Sequence, residues 1–114
     1  MNKPKVAWID YSAYSAPFRD RLICCGGVDI CYDSSLERIE EKCDLSSFKV
    51  ILCHIGREHH KKVLETIRVK YPYLKIGLMT NINESFDYSD APIFGFGNPT
   101  AFYEEVSKFI KENQ

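Results

Sequence analysis

The chain has 114 residues, 45% hydrophobic and 27% charged, with 15 basic and 16 acidic residues for a formal net charge of −1. That length and balance fit one globular domain over residues 1–114, large enough to bury a core without staples. They leave no basic excess to hold nucleic acid or an anionic membrane, and no apolar run approaches a bilayer span.

The first five residues, Met-Asn-Lys-Pro-Lys, lead directly into a short apolar run and lack a signal-peptide core, so a cytoplasmic chain is expected. That run, KVAWID at residues 5–10, has the length of a strand. A helical pattern follows, with Phe18, Leu22 and Cys25 on one face. Ser15 is read as its N-cap, Pro17 lies in its first turn and Gly26-Gly27 ends it. VDICY at 28–32 is the second strand. The next helix is expected to start with a capping box of Ser34 and Glu37 ahead of Leu36, Ile39 and Cys43.

KVILCH at 49–54 is the third strand. Val63, Leu64 and Ile67 then define a helix that Pro72 stops. The cluster His59-His60-Lys61-Lys62 at its start reads as a solvated face, or as a docking patch for an acidic partner. KIGLMT at 75–80 is the fourth strand. Residues 81–91 have many turn formers and predict a short, irregular helix. PIFGF at 92–96 is the fifth strand, and Phe102, Val106, Phe109 and Ile110 form the stripe of a last helix.

The five cysteines are an odd count inside periodic segments, with no Cys-x-x-Cys. Reduced thiols serving as small apolar residues are expected. Cys53, His54, His59 and His60 have no standard ligand spacing, so no metal site is expected.

Strand–helix alternation of this kind predicts a parallel sheet with helices on both faces. VAWI, VILC and IGLM are apolar throughout, as central parallel strands require, whereas Asp29 in the second run and Pro92 with Gly95 in the fifth suit edges. The order is therefore 2-1-3-4-5, a flavodoxin-like doubly wound sheet whose ligand crevice lies beyond the carboxyl ends of the strands. Asp10, His54 and Thr80 end three runs, and Gly97-Asn98-Pro99 follows the fifth. These ends should converge in one crevice.

On the segments VAWIDYS, VILCHIG, LETIRVKYPYLKIGLMTN and FGFGNPTAFYEEVSKFI the sequence resembles the receiver domains of response regulators. The resemblance implies paired acids after the first strand, a phosphoacceptor aspartate after the third, Thr or Ser after the fourth and Lys-Pro after the fifth. It also implies Mg²⁺ and aspartyl phosphorylation. Here Asp10 is followed by Tyr11, His54 stands at the acceptor position, Thr80 is kept and Asn98 replaces the lysine. Gly95 takes the place of the aromatic switch residue. These changes remove the carboxylates and the cation that phosphoryl transfer needs.

The expectation is a non-catalytic pseudo-receiver: a signalling or regulatory interaction module with a degenerate acceptor pocket of Asp10, Tyr11, His54, Thr80 and Asn98, and no cofactor. His54 is read as a replacement that hydrogen-bonds Asp10 or Thr80, with a phosphohistidine or a pH sensor as its rivals. The alternatives are an atypical phosphorylatable receiver of a two-component system and a flavodoxin-like binder of a phosphorylated ligand. The loop from Gly95 to Thr100 would serve the latter. A protein partner or a homodimer is expected through the last strand and last helix. Tyr103 is the expected exposed anchor there. Phe94 and Phe96 are further interface candidates that point toward the core, and Tyr11, Tyr14 and Phe102 are expected mostly in the core.

Overall fold

A computed structural model of the chain describes residues 3–56, 59–81 and 91–114. Strands β1 (Lys5–Asp10), β2 (Asp29–Asp33), β3 (Val50–His54), β4 (Lys75–Thr80) and β5 (Ile93–Gly95) pair in parallel in the order β2-β1-β3-β4-β5. Helices α1 (Ala16–Cys25), α2 (Leu36–Lys42), α3 (His60–Lys70) and α4 (Pro99–Glu112) fill the crossovers and the C-terminal segment, with a short 3-10 turn at Leu45–Ser47. The expected helix within residues 81–91 falls almost wholly outside the described residues. Among the described residues, no helix is long and apolar enough to cross a membrane.

The sheet's pleat divides the core in two. Ala7, Ile9, Ile51, Cys53, Ile76 and Leu78 face α2 and α3. Val6, Trp8, Val50, Leu52 and Met79 face the other way, onto Leu22 of α1 and Phe102, Val106 and Ile110 of α4. Both sides of the three central strands are buried, which explains their unbroken apolar runs. Gly77 makes room on the α4 side. A Cβ there would meet Leu52 at 2.6 Å, Phe94 at 2.8 Å and Phe109 at 3.2 Å.

Several local expectations are corrected. Pairing of β2 starts at Asp29 opposite Lys5, while the Val28 amide bonds Leu22 in the turn from α1. The α2 cap is Ser35, whose hydroxyl accepts from the Arg38 amide; Ser34 instead turns back onto Asp33. Cys25 is exposed, and Ile23 packs on the core beside Phe18 and Leu22. His60 is buried under α3, so only His59, Lys61 and Lys62 of the basic cluster face solvent. Cys31 and Cys43 are joined by a disulfide, which overturns the reading of five reduced thiols; Cys24, Cys25 and Cys53 are free. A spacing of 12 residues carries no signal of this pairing, because β2 and the end of α2 meet only when the helix folds onto the sheet.

Gly77→Ala should destabilise the fold by about 1–3 kcal/mol through overpacking against Leu52 and Phe94. Chemical denaturation followed through the single tryptophan, Trp8, would measure it.

Candidate functional site

Asp10 and His54 are register partners at the carboxyl ends of β1 and β3. Both are buried, and His54 Nδ1 lies 3.0 Å from Asp10 Oδ1. An ionised carboxylate only accepts, so Nδ1 carries the hydrogen in this contact. The same Oδ1 receives the Ser12 amide at 3.0 Å and the Ser12 hydroxyl at 3.3 Å. Oδ2 receives the Ser15 amide at 2.8 Å and the Ser15 hydroxyl. Ser15 Oγ in turn accepts from the fully buried indole of Trp8 at 2.8 Å.

A continuous chain therefore runs from Trp8 through Ser15 to Asp10, where His54 joins from β3. The loop that makes it possible passes through Ala13 in the left-handed region at φ 57°. Ser15 was expected to cap α1, but its side chain makes no cap bond and serves Asp10 instead. Burial alone would raise the Asp10 carboxyl. The hydrogen bonds from Ser15, the Ser12 amide and His54 outweigh that and hold it below its ordinary 3.8.

Aromatic rings cover this pair. Tyr11, Phe96 and Tyr14 stand 5.1, 5.1 and 6.1 Å from the His54 ring, and Phe96 also stacks with Phe18 and Phe102 of the core. Tyr11 and Tyr14 are more than half exposed, contrary to the core placement expected for them. Thr80 is buried at the end of β4 and lines a separate open groove with Asn81, Gly95, Gly97, Asn98 and Ala101. Asn98 is exposed, and its Oδ1 accepts from the Ala101 amide as the N-cap of α4. The structure thus brings Asp10, Tyr11 and His54 together, while Thr80 and Asn98 border a different groove.

Of the interface candidates, the two phenylalanines lie toward the core as expected, and Tyr103 differs from its expected exposure. Phe94 and Phe96 are buried in the core. Tyr103 is half-buried against α1, with the Arg21 guanidinium 4.6 Å from its ring centre. It lies at the edge of the α4 stripe, and α1 covers that edge.

No family model matches the chain, and no curated protein matches it at a significant level. Solved structures do match. An orphan response regulator of H. pylori superimposes with a TM-score of 0.71 at 11% identity, covering 99% of this chain and 98% of that one. A response regulator from Thermotoga maritima gives 0.71 at 14% identity, over 96% and 98% of the two chains. A CheY-like receiver domain protein from Methanospirillum hungatei gives 0.70 at 18%, over 97% and 96%. The chain has the receiver fold.

The Mg²⁺ implied by the resemblance to receiver domains can be tested against the donors present. A hard cation takes several oxygen ligands. Position 54 offers an imidazole, position 11 a phenol, and both Asp10 oxygens are already engaged by Ser12, Ser15 and His54. Among the described residues no group of three His, Cys, Asp or Glu is arranged to hold a metal. These residues do not fit the ion.

Ser15→Ala should cost about 1–3 kcal/mol, because it leaves the Trp8 indole without a buried partner and removes one of the two hydrogen bonds to Asp10 Oδ2. Equilibrium denaturation would measure it. Asp10 has a folded-state pKa below its unfolded value. Its stabilisation is therefore complete well above pH 4 and is lost as pH falls through the folded value. Asp10→Asn should lower stability at neutral pH and flatten the acid limb of a stability–pH profile. Tyr103→Ala should lower the melting temperature by several degrees through lost packing and leave the sedimentation coefficient unchanged.

Proposed function

We propose that the chain is a receiver-like regulatory module that acts through a protein partner and has lost aspartyl phosphorylation. The observation that carries this reading is the state of Asp10. In a phosphorylatable receiver the acid pocket must leave carboxylate oxygens open to a cation. Here the one remaining acid is consumed by its own loop and by His54. The lysine position is taken by Asn98, which caps a helix and brings no charge. His54 replaces the nucleophile with a ring that is oriented by Asp10 and roofed by Phe96 and two tyrosines. The pair then works as a fixed polar pin between β1 and β3. The exposed faces of Tyr11 and Tyr14 offer a partner amphipathic surface at the carboxyl edge.

The reading as a binder of a phosphorylated ligand draws less support. Its loop would use the amides at the start of α4, and Asn98 already occupies the Ala101 amide.

Acetyl phosphate with Mg²⁺ should give no phosphoryl adduct by intact mass, and beryllofluoride should leave the fluorescence of Trp8 unchanged. That indole is wired to Asp10 through Ser15, so it would report any occupation of the pocket. A phosphoryl adduct would overturn the proposal. The double variant Tyr11→Asp, His54→Asp restores carboxylates beside Asp10 and should show Mg²⁺ binding by calorimetry at millimolar concentration, where the wild type shows none.

A further inference from the structure

The attachment of α2 differs in kind from that of the other helices. It has only 7 residues, Leu36–Lys42, and buries Leu36 and Ile39. Glu40 joins its last turn to α3, accepting from the Tyr71 hydroxyl and lying 3.2 Å from Lys70 Nζ, and two further devices tie its far end to β2. One is the Cys31–Cys43 disulfide, from the middle of β2 to the C-cap of the helix. The other is Lys42, whose Nζ lies 3.0 Å from the Tyr32 carbonyl and 2.9 Å from Asp33. Both fix the same turn to the same edge strand. Hydrogen bonding and ion pairing at an exposed lysine are weak holds, so the covalent link carries most of the restraint toward β2.

The disulfide is also reachable. Cys31 and Cys43 are half-buried and line an open groove of about 550 Å³ beside Lys5, Asp29 and Lys42. Cys53 is the contrast: it is fully buried in β3, and burial pushes its thiol up to about 12, so it stays out of exchange. Cys24 and Cys25 are exposed on α1, which packs on the opposite face of the sheet from α2.

We propose that Cys31 and Cys43 form a reversible redox switch that locks and releases the C-terminal turn of α2. The inference does not depend on the chemistry at Asp10 and His54, and it would give the module an input other than phosphate. Oxidation proceeds by exchange with a low-molecular-weight disulfide such as glutathione disulfide. One cysteine thiolate attacks the glutathione disulfide, forms a mixed disulfide and expels one glutathione thiolate. The second cysteine thiolate attacks the protein sulfur of that mixed disulfide and expels the other. Two protein thiols are oxidised, one glutathione disulfide is reduced to two thiols, and the cysteine protons pass to the departing thiolates. Reduction by a dithiol reverses the sequence. In the reduced state only Lys42 ties the turn to β2, while Glu40 keeps its contacts with Tyr71 and Lys70 of α3. The N-terminal part of α2, with Ser35, Leu36 and Glu37, lines a groove that it shares with Tyr11 and with Lys62 and Val63 of α3. Loosening the helix would therefore be felt at the carboxyl edge, beside the proposed partner surface.

The test uses the whole chain under glutathione disulfide and under dithiothreitol. Native alkylation followed by peptide mass spectrometry should find Cys24 and Cys25 alkylated or as glutathione adducts under glutathione disulfide and alkylated after reduction, and Cys31 and Cys43 alkylated only after reduction. Amide hydrogen exchange across residues 36–43 should rise roughly tenfold or more on reduction while β1, β3 and β4 stay protected. Cys31→Ser with Cys43→Ser should show the fast exchange in both conditions, and Cys24→Ser with Cys25→Ser should behave as the wild type. Labelling of Cys31 and Cys43 under glutathione disulfide would overturn the proposal. So would unchanged exchange on reduction, which would make the link a static staple. Should the serine variant fail to fold, the wild-type comparison alone decides.

Discussion

The buried carboxylate of Asp10 is the constraint on which the carboxyl edge of the molecule depends. A charge removed from water must have its lone pairs satisfied or it destabilises the fold by several kcal/mol. Asp10 meets that demand with five hydrogen bonds, four from its own loop and one from β3. The loop must therefore bend back on itself, and Ala13 adopts a left-handed conformation for it to do so. The bend delivers Ser15 to the start of α1 and sets where that helix leaves the sheet. The bond to His54 ties the ends of the two central strands together.

The site and the core are one body. Phe96 packs against Phe18 and Phe102 and at the same time forms the roof over His54. Phe94, on the same side of β5, needs the space that Gly77 leaves open. Moving the roof would therefore disturb the packing between α1 and α4, so the polar pin behaves as part of a rigid interior. The edge at β2 is built differently. There the last turn of a short helix is tied to β2 by a covalent link and an exposed lysine, and to α3 through Glu40.

Strand order, the positions of the four described α-helices and the convergence of Asp10 with His54 were legible in the sequence. The central strands declare themselves by apolar residues on both faces, and the only polar positions in those runs sit at their ends. The residue types at positions 11, 54 and 98 are read from the sequence directly. Asn98 was seen as a missing charge, and the structure adds its work as a helix cap.

Other features required the tertiary structure. The Ser15 hydroxyl can cap a helix or answer a buried carboxylate, and only the return of the loop to Asp10 decides between them. Ser34 and Ser35 are equally good caps in sequence, and the aspartate at position 33 decides which one is free. Tyr103 lies at the margin of an amphipathic stripe, where exposure depends on whether a neighbouring helix covers it; α1 does. The pairing of Cys31 with Cys43 depends on the distance between a strand and the end of a helix, which spacing does not encode. Periodicity and chain-end chemistry are local, so the sequence by itself determined the layers of the fold and the residue types at its crevice. Which polar group answers which, and which thiols meet, are distances between elements, and those exist only once the chain has folded.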